Sequence, residues 1–123
     1  MKIKGFLVDV SDSPKAELVE VENDSLEQLY KILNCDCIDI VVRSIGGIEF
    51  DIVCDDNGLL IDNPRVSANS DIFGSLFGNL FVCHHDYDGN LTSISEEDLK
   101  NIQDHMGISI GEDFVKPLLF LDC

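Results

Sequence analysis

Apolar and polar positions alternate through the first twenty residues with the two-residue period of strands. In "IKGFLVDV", Phe6, Val8 and Val10 fall on one face. The turn formers "SDSP" follow, and "AELVEVE" then resumes the alternation, with Val19 and Val21 inward and Glu20 and Glu22 outward. An N-terminal hairpin is expected. The period then lengthens to that of a helix over residues 24–34, where Leu26, Leu29, Tyr30 and Leu33 recur, with Asn23 or Asp24 as cap and Asn34 as stop. "CIDIVVRS" and "IEFDIVC" flank Gly46-Gly47 and predict a second hairpin. Its inward sets are Ile38, Ile40 and Val42 on one strand and Ile48, Phe50, Ile52 and Cys54 on the other, with Glu49 and Asp51 facing out.

Beyond a turn at "DDNG", "LLI" reads as a short strand and "DNPRVSANSD" as a loop, while the glycines of "IFGSLFG" break any regular element. "NLFVCHH" reads as an inner strand. In "SEEDLKNIQDHM", Ser95 and Asp98 have capping-box spacing and Leu99, Ile102 and Met106 share a face, so a second helix is expected. The apolar tail 107–123 packs back on the body or on a second subunit. The prediction is a single α+β domain over 1–123, a mainly antiparallel sheet of five or six strands with two helices, in the order β-β-α-β-β-loop-β-α. The order through residue 54 resembles that of a β-grasp.

Composition narrows the function classes. The 123 residues suffice for one core without metal or disulfide. Nothing resembles a signal peptide or an apolar span of roughly 20 residues, so a soluble protein in the cytoplasm of a bacterial host is expected. The five cysteines include no C-x-x-C pair and read as small buried hydrophobes or isolated thiols. Twenty-four acids against eight bases give a net charge of −16. Such a chain repels phosphate backbones and anionic membranes, and attracts basic protein surfaces. The outward acids Glu20, Glu22, Glu49 and Asp51 are the candidate contacts.

Two local clusters invite chemistry. "HHDYDGNLTSISEE" offers Asp86, Asp88, Asn90 and Glu97 at positions one, three, five and twelve of a calcium loop. Position six is Leu91 rather than glycine, however, and the incoming segment is a strand rather than a helix. On an extended strand His84 and His85 point to opposite faces, which defeats a shared transition metal. The stretch is expected to be a turn, and no cofactor is implied. The other cluster gathers Asn63, Arg65, Asn69, Phe73 and Phe77, where a guanidinium could clamp a phosphate and a phenyl ring stack a base, the pattern of a nucleotide-signal binder. No G-x-S-x-G, H-E-x-x-H or P-loop is present, so no enzyme is expected.

Across residues 5–104 the order of "KAELVEVENDSLEQLYKIL", "CDDNGLLIDNPR", "FGNLFVC" and "LTSISEEDLKNI" resembles a domain-of-unknown-function family of small proteins from phages and conjugative elements of Gram-positive bacteria. In the loop that resembles the family's, Pro64 separates Asn63 from Arg65. The resemblance implies a mobile-element accessory protein and names no activity. Combined with the charge, it suggests a non-enzymatic partner of a host defence or DNA-processing protein. The exposed hairpin edges and the apolar "PLLFL" also suit a homodimer.

Overall fold

The computed structural model describes residues 2–22, 26–35, 37–56, 65–70, 72, 74–110 and 115–122. The chain runs β1 (Lys2–Asp9), β2 (Lys15–Glu22), α1 (Glu27–Leu33), β3 (Ile38–Ile45), β4 (Ile48–Asp55), β5 (Val66–Ser70), β6 (Gly74–Phe77), β7 (Leu80–His85), β8 (Leu91–Thr92), α2 (Glu96–Asp104), β9 (Met106–Ile110) and β10 (Val115–Leu121). The expected α+β domain with two helices and mainly antiparallel strands is present, but its strands form two sheets. The larger has the order β2-β1-β7-β4-β3, with β8 added beside the end of β7; the smaller has the order β6-β5-β10-β9.

Both predicted hairpins form. Gly46 and Gly47 adopt φ of 58° and 84°, which lets Ile45 and Ile48 close a two-residue turn. The strand β7 joins the two hairpins, pairing antiparallel with β1 on one side and β4 on the other. Leu80, Phe81, Val82 and Cys83 are all buried, as a strand covered on both faces must be. On one face Phe6, Val8, Ile52, Leu80 and Val82 pack against α2 and the small sheet through Ile102, Ala68 and Leu119. On the other, Ile3, Val21, Val53, Phe81 and Cys83 pack against Leu29 and Leu33 of α1. Gly5 lets the Phe81 ring lie directly on β1, because a Cβ there would enter the ring.

Helix ends follow the sequence closely. Asn34 takes the left-handed conformation (φ 53°), with its N–H on Lys31 O and that of Cys35 on Tyr30 O, a Schellman stop. Ser95 and Asp98 form the full capping box of α2. The proposed caps Asn23 and Asp24 lie outside the described residues. Leu26, expected inward, is exposed ahead of α1.

Three expectations are corrected. Residues 66–70 and 74–77 are strands: small side chains suit β5 because it lies between β6 and β10, and Ser67 donates to Leu76 O at 3.2 Å. Of the inward set expected on β3, only Ile38 packs against a core, the one beneath α1. Val41 reaches the main core, whereas Ile40 and Val42 are 47% and 48% exposed where α1 does not extend. Ile48 is exposed at the hairpin tip, and Asp51 is buried. The tail supplies β9 and β10, and β10 pairs parallel with β5 of its own chain. No described helix is long and apolar enough to cross a membrane.

Candidate functional site

The end of β7 concentrates polar chemistry. Alternation sends the two neighbouring histidines to opposite faces, and a carboxylate meets each. His84 stacks on Phe50, ring centroids 4.7 Å apart, with Nε2 3.0 Å from Asp98 Oδ2. Asp98 also accepts from Ser95 N–H, so one carboxylate ties the β7 end to the start of α2. Burial pushes the Asp98 carboxyl up, but hydrogen bonds from Ser95 and His84 outweigh it and hold the group below the usual carboxylate range. On the other face His85 Nδ1 lies 2.5 Å from Asp51 Oδ2, and Asp51 is only 5% exposed. This arrangement fixes the ring, and the side chain remains 55% exposed beside the 86–89 turn. Asp51 was read as an outward partner contact. It keeps the face opposite Phe50 and Ile52, as alternation requires, but lies there beside buried Cys83, its register partner on β7, and under His85.

The 86–90 stretch is a turn, as expected. Asp86 N–H donates to Asn90 O, and Asp86 Oδ1 accepts from Asp88 N–H and Asn90 N–H, each at 2.9 Å. The Asn90 hydrogen bond leads in lowering the Asp86 pKa. That carboxylate is therefore engaged by backbone, while Asp88 is exposed in the turn and Glu97 sits in the first turn of α2. Among the described residues no three histidine, cysteine or acidic side chains are gathered to hold a metal ion.

The nucleotide candidates are scattered. Asn63 and Phe73 lie outside the described residues. Arg65 donates to Val10 O at 3.0 Å and pairs with Asp12 at 3.2 Å, in a cleft of about 100 Å³ shared with Asp55 and Asn79. Buried Asn79 bridges there from β1 to α1, accepting from Val10 N–H and donating to Ile32 O. Phe77 lines a different groove of about 190 Å³, together with Asp39, Asp55 and Asp56, which give it a field hostile to phosphate. Asn69 faces solvent further along β5, accepting from the Ser75 hydroxyl.

Charge is unevenly balanced across the surface. Glu20 and Glu22 stand opposite Lys4 and Lys2 in the β1–β2 register, and Lys15 pairs with Glu17 at 3.0 Å, which raises the lysine's pKa. Glu49 is exposed on the opposite face of the sheet from Glu20 and Glu22, so the four partner candidates form no common surface. Residues 86–104, by contrast, hold six acids against the single lysine Lys100. Of these acids, all but Asp98 are exposed. Sequence alternation pointed to the strand acids, whereas the acids are densest on either side of the β7–α2 connection.

The chain belongs to a family described as a domain of unknown function (DUF3846), which matches residues 3–107. That span takes in every element from β1 to α2 and the start of β9, and leaves β10 outside. No curated protein and no solved structure matches the chain.

Proposed function

For a member of this family we propose a mobile-element accessory role, performed without catalysis by binding a basic surface on a host defence or DNA-processing protein. The mobile-element part rests on the ordered motifs quoted above. The binding part rests on one observation: the acids of β2 are offset by facing lysines, whereas the 86–104 segment carries six acids to one lysine, with Asp88, Glu96, Glu97 and Asp104 among its exposed acids. A locally negative surface speeds encounter with a basic partner, and the gain fades as salt screens it.

The test is affinity capture from host extract at low salt, followed by titration of the purified captured protein across a salt series. Binding should weaken by at least about tenfold between 0.1 and 0.4 M salt, the Debye length falling to about 5 Å. The double variant Glu96→Lys/Glu97→Lys should weaken it more than Glu20→Lys/Glu22→Lys does. Salt-independent binding, or equal losses in the two variants, would overturn the reading.

A further inference from the structure

The outer edge of β3 matches itself. With Ile45 and Ile48 paired across a two-residue turn, alternation directs the backbone groups of Val41 and Arg43 toward β4 and those of Ile40, Val42 and Ser44 away from it. The bonds agree. Ile40 N–H donates to Asp39 Oδ1 at 2.9 Å, and Arg43 Nη1 donates to Val42 O at 2.9 Å. Ser44 O accepts from Asp122 N–H at 2.8 Å. Side chains of β3 thus occupy two outward groups of their own strand, a common protection for an exposed edge.

The accessible stretch has clear bounds. Asp122 covers the edge beyond Arg43, and its carboxylate also accepts from Gly47 N–H at 2.6 Å and the Ser44 hydroxyl at 3.1 Å. At the other end Cys37 O accepts from Asp56 N–H at 3.0 Å, so the ladder to β4 continues past Asp39. Residues 39–43 remain between these contacts, and their midpoint is Val41. A two-fold axis through Val41 sets Ile40 opposite Val42 of a second copy, and Asp39 opposite Arg43 of that copy. A register shift of two residues in either direction loses the charge match. The outward N–H of Ile40 meets the outward C=O of the other copy's Val42, so the ladder also closes in this register. The carboxylate and guanidinium that cap those groups in the single chain then face each other. The half-exposed Ile40 and Val42 cover one another on the face that α1 leaves open.

We propose that β3 pairs antiparallel with β3 of a second copy of this chain, in the register that sets Asp39 against Arg43. Two sheets would become one, ending in β2 on either side. The paired segment is short and each copy carries −16, so the dimer is weak and moderate salt favours it by screening the repulsion. That is the opposite salt dependence to the basic-partner reading, so each can fail without the other.

Sedimentation of the full chain up to about 0.5 mM, equivalent to a millimolar-range dissociation constant, tests it. The unaltered chain should show a reversible dimer. Asp39→Arg alone and Arg43→Asp alone should each weaken it at least about tenfold, since each sets like charges face to face. Mixing the two variants restores opposite charges at both contacts, and the mixed dimer should form at least as readily as the original. Recovery on mixing also shows that both variants are folded. A chain that stays monomeric throughout, a dimer that persists in both single variants, or a mixture no tighter than its parts would overturn the proposal.

Discussion

The two faces of the larger sheet are covered very differently. One lies under α2 and a four-stranded sheet, which bury Phe6, Phe50, Ile52 and Val82 together with Ile102 and Leu119. The other lies under α1, a seven-residue helix with no side-chain N-cap. This thin cover seals Phe81 and Cys83 and reaches β3 only at Ile38, leaving Ile40 and Val42 half exposed. Apolar strand residues left over by a short helix become available for recognition, whereas the same residue types beneath a second sheet serve only stability. The chain's surface chemistry therefore follows from where its covering elements end.

Thiol labelling gives the largest contrast. Burial pushes Cys54, on the thick side, up to about 11 and Cys83, beneath α1, up to about 12, so neither supplies thiolate near neutral pH. Cys37 is exposed. In the native protein Cys37 should react at least about a hundredfold faster than either buried thiol, as read by mass spectrometry of alkylated peptides. If Cys83 then labels faster than Cys54, α1 opens by itself and the thin cover is the weaker one; equal rates would abolish that distinction.

A smaller effect is expected from truncation. Ile52→Ala, between two sheets, should cost roughly 3–5 kcal/mol, and Leu29→Ala roughly 2–3 kcal/mol, because the edge of a short helix can collapse into the space. Urea denaturation measures both. Equal costs would mean that α1 packs as rigidly as the smaller sheet.

The smallest effect concerns acid. Asp98, Asp86 and Asp122 all have depressed carboxyl pKa values, Asp122 chiefly through the Gly47 N–H. Their contribution to stability is present above the unfolded carboxylate value of about 3.9 and is lost as pH falls through the lower folded values. Asp98→Ala removes the capping box and the partner of His84, and should cost about 1–2 kcal/mol at neutral pH. It should also flatten the acid limb of the melting temperature against pH. An unchanged acid limb would show that Asp98 is not one of the groups responsible.

Much of the fold was legible because its signals are local. Gly46-Gly47, Asn34, and Ser95 with Asp98 each have a chemical reason to sit where they do, and each behaves as read. The opposed directions of His84 and His85 were equally plain, but their partners Asp98 and Asp51 could be assigned only once α2 and β4 were in place. β3 misled because "IDIVVRSI" is apolar on both parities, and the thicker cover claimed Val41 and Ile45. β5 escaped because "VSANS" carries little apolar signal of its own; its pairing with β10, more than forty residues on, makes it a strand. The nucleotide reading assembled side chains by nearness in sequence, and the sheet separates Arg65, Phe77 and Asn69 into different surroundings.

The place of β7 also sets a timetable for synthesis. β1–β2 and β3–β4 can each pair as soon as they leave the ribosome, yet nothing joins these ribbons until residues 80–85 emerge. A two-stranded ribbon is marginal alone, so both wait half-formed with their inner edges open. The smaller sheet waits longer still, since β5 pairs with β10, which is translated more than forty residues later. Stalling between residues 60 and 80 would therefore leave a nascent chain with two unmatched ribbons, a favoured substrate for chaperones that bind exposed strand edges.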